Sequence, residues 1–250
     1  MPGALGNILT LIINNSERYS IKAGYRENPV QATYDSSDDP AYWDEGRLKN
    51  AASYQYDVYL AAAGLARKRL ARTLLDVGSG PPVKLCELMP TGIEISLVDQ
   101  PNTARHAAEL LPKAQFFSAN LEDALPAIDR KFDLILCADV IEHLVDPDPC
   151  LDFMRHHLAP QGLLLISTPE RDSLRGKTCM HSPHPMHVRE WNFNEFAHFL
   201  SSRNLDIVEH RLLPQRRMSP TRKLLGRLMT TLGWPPAWYS CQLAICRSRN

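Results

Sequence analysis

The sequence predicts an α/β domain built on a parallel sheet with helices on both faces. Three observations predict it. A tight glycine turn follows an apolar strand at 73–82 (TLLDVGSGPP), an acidic residue, Asp99, stands at the tip of a second strand, and helix-like and strand-like stretches alternate from 73 to 168. A chain of 250 residues can bury the core of one such domain and still carry appendages.

Thr73, Leu74 and Leu75 lead to Asp76 and Val77, then to Gly78-Ser79-Gly80. Glycine lets the backbone turn sharply and lets a ligand approach the main chain, as a nucleotide-type cofactor above a strand end requires. A dinucleotide fingerprint would place a third glycine at Val83 or, on the shorter spacing, at Pro82. Neither is glycine, so the turn by itself fits a plain connection as well as a binding loop.

Before this strand, residues 45–70 read as one helix, broken at Gly64, with Leu48, Ala52, Tyr56, Tyr59 and Ala63 at near-helical spacing and Arg67, Lys68 and Arg69 at its negative end. Residues 1–44, with an acidic turn at 35–40 and the pair Tyr42-Trp43, read either as a poorly ordered tail or as a lid over a ligand. After the turn comes a short helix through Leu85 and Leu88, stopped by Pro90, and then a strand, ISLVD, ending at Asp99. A carboxylate there can accept from both hydroxyls of a ribose, or it can be a solvated acid ending a strand. A helix at 101–111 and a strand at 115–118 follow. Asn120, just beyond, can read an adenine edge through its amide or simply form a turn. The fourth strand, 132–137, ends in the polar block ADVIEH, and a helix at 147–158 and a strand at 162–168 complete the alternation.

Lys and Arg total 28, as do Asp and Glu, so no chain-wide field draws the protein to nucleic acid. The six cysteines contain no CxxC pair, and Cys137 and Cys246 fall in apolar strand-like runs, the usage of a reducing compartment. The amino terminus has no basic stretch before its short apolar run, and no apolar run approaches about 18 residues. These features together predict a cytoplasmic protein.

The motifs LLDVGSG, LVDQ, SANLED, FDLILCADVIEHLVDP and LAPQGLLLISTP resemble, in order and separation, those of the class I S-adenosylmethionine-dependent methyltransferases. The resemblance covers about 73–210 and the final strand. It implies a Rossmann-like, seven-stranded, mostly parallel sheet with one antiparallel edge strand, and S-adenosylmethionine as cofactor across the strand ends. It further implies that Asp76, Gly78, Ser79 and Gly80 hold the methionine moiety, Asp99 the ribose hydroxyls, and Asn120 and Leu121 the adenine, with Gln100 a further cofactor contact and Asp139 facing the reacting end. A dehydrogenase fits less well, because of the missing third glycine, the helical preface and the ADVIEH block. On this resemblance the chain is expected to divide into a segment and helix at 1–72, a candidate lid, and a methyltransferase domain at 73–250, with the loop at 169–191 and an insertion at 211–239 as covers over the substrate.

Methyl transfer asks mainly for alignment and exclusion of water, and a hydroxyl acceptor also needs a base. His143, His187 and Asp139 are the candidates, and capping or ordering is the structural alternative for His143. The loop at 169–191 carries Cys179, His181, His184 and His187, but the spacing matches no zinc motif and Pro183 and Pro185 stiffen it, so no metal is assigned. Glu142, His143 and His187 loosely resemble the divalent-ion set of small-RNA 2′-O-methyltransferases, a reading opposed by the zero net charge.

Helix 194–202 and strand 205–209 follow. From Ser219-Pro220 a helix starts with Leu224, Leu225, Leu228 and Leu232 in one stripe, basic Arg222, Lys223 and Arg227, and then Trp234 and Trp238. Residues 219–234 either pack on the domain or lie on an anionic membrane. The last strand is placed at 240–246. The sequence as a whole predicts O-methylation of a small-molecule, sugar, glycan or lipid-linked acceptor. The alternatives are RNA 2′-O-methylation and a cofactor-binding scaffold without turnover.

Overall fold

The structure, a computed structural model, describes residues 16–29 and 42–249. Strands β1 (Thr73–Val77), β2 (Glu94–Asp99), β3 (Gln115–Ser118), β4 (Phe132–Ala138), β5 (Leu158–Pro169), β6 (Leu205–Leu213) and β7 (Cys241–Ser248) form one sheet in the order β3-β2-β1-β4-β5-β7-β6. The pairs among β1 to β5 are parallel. The reversed strand is β7, antiparallel to both β5 and β6, so the reversal lies at the β6 end of the sheet, with β6 outermost. A seven-stranded, mostly parallel sheet is what the resemblance implied.

The helices are α1 (Glu45–Ser53), α2 (Tyr56–Arg69), α3 (Val83–Leu88), α4 (Ala104–Leu110) behind a 3₁₀ turn at Pro101–Thr103, α5 (Asp148–His157), α6 (Arg171–Arg175), α7 (Phe193–Ser201) and α8 (Pro220–Thr231). Strand side chains alternate between faces, so the apolar runs of β1, β4 and β5 divide into two cores. Leu75, Ile135 and Ile166 pack on one face with Met154 of α5 and Phe196 and Phe199 of α7. Leu74, Leu134 and Leu165 pack on the other with Val58, Tyr59 and Ala62 of α2. Cys137 and Cys246 are fully buried in β4 and β7, in the runs that suggested it.

The helical preface differs from the expectation. It is two helices, and the break lies at Tyr54 and Gln55, where Gln55 takes a left-handed φ of 51°, not at Gly64. Gly64 sits inside α2 with open space around its Cβ direction, so the helix simply runs through it.

Residues 16–29 are an integral part of the fold and not a tail. Tyr19, Ile21 and Tyr25 are buried in the core, and Trp191 Nε1 donates to the Tyr19 carbonyl at 2.7 Å. Buried Arg189 stacks 3.9 Å over the Tyr19 ring and pairs with Glu27 at 2.7 Å. The Asn28 amide donates to the carbonyls of Ser182, His184 and His187, so one side chain pins the proline-bearing loop. The acidic turn at 35–40 lies outside the described residues. Among the described residues no helix is long and apolar enough to cross a membrane.

Candidate active site

A cleft of about 250 Å³ opens beyond the ends of β1, β2 and β4. Gly78, Gly80, Asp99, Asn120, Asp139 and His143 stand on its wall, and Trp43 faces them. At Gly78, φ is +72°, and an added Cβ would collide with Val140 Cγ2. At Gly80, φ is +54°, and a Cβ would lie 3.6 Å from the Trp43 ring, in the space between loop and aromatic wall. Both conformations strain any residue with a side chain. Pro82 does not disturb the turn, because it stands at the start of α3, where its carbonyl accepts from Cys86 N at 3.0 Å.

Asp99 ties this loop to the second strand. Its carboxylate accepts from Gly80 N at 2.6 Å, Gln100 N at 2.6 Å and Thr103 Oγ1 at 3.2 Å. Burial pushes its pKa up, and these donors oppose the shift. Gln100 and Leu121 also line the cleft, and Asn120 Oδ1 accepts from Glu122 N as a turn residue does. Asp76 and Ser79 lie elsewhere. Both are buried beneath the loop; Asp76 accepts from Tyr59 OH at 3.0 Å, and Ser79 Oγ donates to the Gly80 carbonyl. Burial moves Asp76 up to about 7 and moves nearby Lys84 down to about 8.

Asp139, at a φ of 53°, accepts from Ser167 Oγ at 2.7 Å and from Gln55 Nε2 at 3.0 Å. Burial raises its pKa against both donors. His143 shares the wall with it, and its Nδ1 lies 2.8 Å from the Met186 carbonyl. Desolvation, with His187 next in size, brings the His143 pKa down to about 3. His187 is buried behind His143 rather than on the wall; the rings meet edge to face, 4.7 Å between centroids. His187 Nδ1 is 2.6 Å from Glu190 Oε1. Burial pushes Glu190 up, but His187, Arg175 and Ser182 together bring it down to about 2. Of the four loop residues considered as one ligand set, His184 stacks on His187 at 4.0 Å, whereas Cys179 turns its thiol to the His181 carbonyl.

A family profile described as a methyltransferase domain matches residues 47–210. The chain belongs to this methyltransferase family. A Mycobacterium tuberculosis protein named "Probable S-adenosylmethionine-dependent methyltransferase" is 31% identical over 139 residues, 54% of this chain and 49% of that protein. The ubiquinone biosynthesis O-methyltransferase of a Caulobacter species is 31% identical over 103 residues, 39% of this chain and 41% of that one. The methyltransferase thus spans half or less of these relatives. Among solved structures, the plantazolicin methyltransferase BamL, held with a triazolic desmethylPZN analog and S-adenosylhomocysteine, superposes with a TM-score of 0.63 at 15% identity, covering 97% of this chain and all of that one. A Burkholderia thailandensis 1,6-didemethyltoxoflavin-N1-methyltransferase gives 0.59 at 18% identity, covering 90% and 94%.

The cofactor of this methyltransferase is S-adenosylmethionine. The cleft fits it: Gly80 leaves open the space that a side chain would fill, and the acid at the second strand tip stands on the same wall. Sequence reasoning missed Gln55, which no pattern marks, because its contact with Asp139 exists only once α1 and α2 fold over the sheet. It also missed Glu190, although the three-residue spacing from His187 was a usable signal.

Proposed function

We propose that this methyltransferase methylates an oxygen of a small-molecule or glycan acceptor that enters beside His143. The observation that carries the reading is the pair on the cleft wall: Asp139, held by Gln55 and Ser167, and His143, held at Nδ1 by the Met186 carbonyl. A carbonyl at Nδ1 requires the proton there, which puts the basic lone pair on Nε2. With a pKa near 3 the ring is uncharged at neutral pH and accepts a hydrogen bond from an acceptor hydroxyl. The cofactor supplies a methyl group on a sulfonium with a good leaving group. Gly78, Gly80, Asp99, Gln100, Asn120 and Leu121 hold it, while Asp76 and Ser79 act from below by fixing the loop. His187 orients His143. The relatives named as O-methyltransferases support oxygen as the accepting atom.

The covers we propose are the amino-terminal segment at 1–72, of which Tyr42 and Trp43 line the cleft, the loop at 169–191 and the insertion at 211–239. We infer that α8 rests on an anionic lipid surface, which suits an acceptor that is lipid-linked. Its apolar stripe points outward, with Leu224 71%, Leu228 56% and Leu232 62% exposed and Trp234 at 75%. The opposite face is packed, with Gly226 against Tyr239 and Lys223 paired to Asp57 at 2.6 Å. Residues 210–250 contain no Asp or Glu, so every charged side chain that this segment itself contributes is basic.

Incubation with labelled S-adenosylmethionine and cell extracts, followed by location of the label, tests the acceptor. Label on an ether or ester oxygen supports the reading, and label only on nitrogen or carbon removes it. The Asp99→Ala variant is expected to bind cofactor about 10–100-fold more weakly by calorimetry, the scale of one or two lost hydrogen bonds to a charged group. Unchanged affinity would refute the assignment.

A further inference from the structure

A second cavity, of about 700 Å³, lies where α2, the end of β6 and α8 meet, and it shares no lining residue with the cleft. Side-chain size explains why it is open. Gly226 holds the middle of α8 against Tyr239, because any side chain there would collide with the Tyr239 ring. One turn further on, Thr230 and Thr231 are short, and so is Ala61 of α2 on the same wall, so the space between is left unfilled. Leu60, beside Ala61, lines it and is 41% exposed.

Leu60, Leu212, Leu213, Pro235 and the Phe193 ring give the wall an apolar body. Its hydroxyls are already spent: Thr230 donates to the Gly226 carbonyl at 2.7 Å, Thr231 to the Arg227 carbonyl at 3.0 Å and Tyr239 to the Lys223 carbonyl at 2.9 Å. Asp57, buried at the wall, is neutralised by Lys223 at 2.6 Å. Two exposed guanidiniums remain. Arg211 pairs with Glu209 at 2.7 Å, whereas Arg227 meets the Tyr239 phenol and has no carboxylate partner among the described residues. Residues 210–250 carry no Asp or Glu to supply one.

We propose that this cavity binds a free single-chain anionic amphiphile, an alkyl carboxylate or alkyl phosphate, with its chain against Leu60, Leu212 and Leu213 and its head on Arg227. The chain gains by leaving water, and it strands no hydroxyl of the wall, since each already has its partner. An oxyanion can take two parallel N–H donors from one guanidinium, which a neutral or cationic head cannot. The volume suits one small ligand. The occupant is a single molecule and not a bilayer: Lys223, Arg227 and Thr230, spaced four and three apart toward Asp57 and the cavity, mark a side of α8 other than the outward stripe of Leu224, Leu228 and Leu232. Its binding rests neither on the oxygen-acceptor reading nor on the membrane reading.

The test titrates the full chain, without cofactor, with decanoate and with decyl phosphate in a calorimeter, each kept below the concentration at which it self-associates. One equivalent of each is expected. Octanoate should bind about tenfold more weakly than decanoate, because each buried methylene is a factor of about four. Decyltrimethylammonium should be weaker by about tenfold or more, and Arg227→Gln should weaken decanoate about tenfold. Ala61→Phe, which fills the space, should abolish binding. Both variants should keep the wild-type circular dichroism and S-adenosylmethionine affinity, since neither residue lines the cleft. The double variant Leu224→Glu, Leu228→Glu should bind decanoate as the wild type does. Absence of saturable binding of either anion overturns the site. Equal binding of the alkylammonium, or decanoate affinity unchanged in both Arg227→Gln and Ala61→Phe, does so too. Loss of binding in the stripe double variant also overturns it, because the probe then sits on the outward face of α8. Decanoate binding without co-sedimentation on anionic vesicles supports the cavity and removes only the membrane reading.

Discussion

Gln55 and Asp139 hold each other from two left-handed backbone positions, φ 51° and 53°, through a 3.0 Å bond from the Gln55 amide to Asp139 Oδ2. One is the hinge between α1 and α2, and the other ends β4, so the helical preface is fastened to the cleft wall at this point. Gln55→Leu should leave a buried carboxylate oxygen without its donor and cost about 1–3 kcal/mol in urea unfolding. A loss below about 0.5 kcal/mol would mean that water replaces the amide.

Gly78→Ala should weaken S-adenosylmethionine binding about tenfold or more in calorimetry, because the new methyl meets Val140 and the φ of +72° is strained for alanine. The same titration on Gly64→Ala, inside α2 with open space at its Cβ, should match the wild type. If Gly78→Ala also matches, the loop does not approach the cofactor as proposed.

His210 supplies an acid-sensitive step remote from the cleft. Its ring stacks 3.6 Å from that of Phe193, and burial lowers its pKa to about 4, with Gln242 opposing. A depressed histidine contributes stability that is present above the ordinary value near 6.5 and is lost as pH falls through about 4. Unfolding free energy should drop across that window by about 1–2 kcal/mol, less than the full shift because the ring is partly exposed. His210→Phe should flatten that part of the profile, and an unchanged slope would assign the loss to other groups.

On α8, the double variant Leu224→Glu, Leu228→Glu should keep the wild-type unfolding midpoint, since exposed substitutions away from packed features stay within about 0.5 kcal/mol. The wild type is expected to co-sediment with anionic vesicles and the double variant to remain in the supernatant. A marked destabilisation would show that the stripe is packed, and wild-type indifference to vesicles would end the membrane reading.

Much of the sheet was legible because its strands are short apolar runs ended by polar or glycine punctuation, as at Val77–Gly78 and Ala138–Asp139. The helix break was not, because Gly64 is a conspicuous glycine whereas the real hinge falls at Gln55, a good helix former held left-handed by a tertiary bond. Residues 16–29 were unreadable for a related reason: Tyr19, Tyr25 and Asn28 find partners at 180–191, and no local pattern encodes contacts across that separation. The cleft wall followed from strand-end positions, so Asp99, Asn120 and Asp139 fell together. Asp76 departs from its neighbours because a strand's last residues alternate in direction, which points its carboxylate to Tyr59 under the loop. The meeting of His143 with His187 required the loop's path, which is set by Asn28 and Glu142 rather than by the loop's own residues.

The position of β7 between β5 and β6 has a consequence for biosynthesis. The ribosome delivers β6 well before the strand that attaches it to the sheet, and β5, which carries Ser167 against Asp139, emerges with one edge unpaired. Until Cys241–Ser248 leaves the exit tunnel, that edge is a template for any extended strand nearby. Completion of the sheet is therefore gated by Cys241–Ser248, and stalling upstream of it should yield chaperone-bound or aggregated material rather than a folded domain.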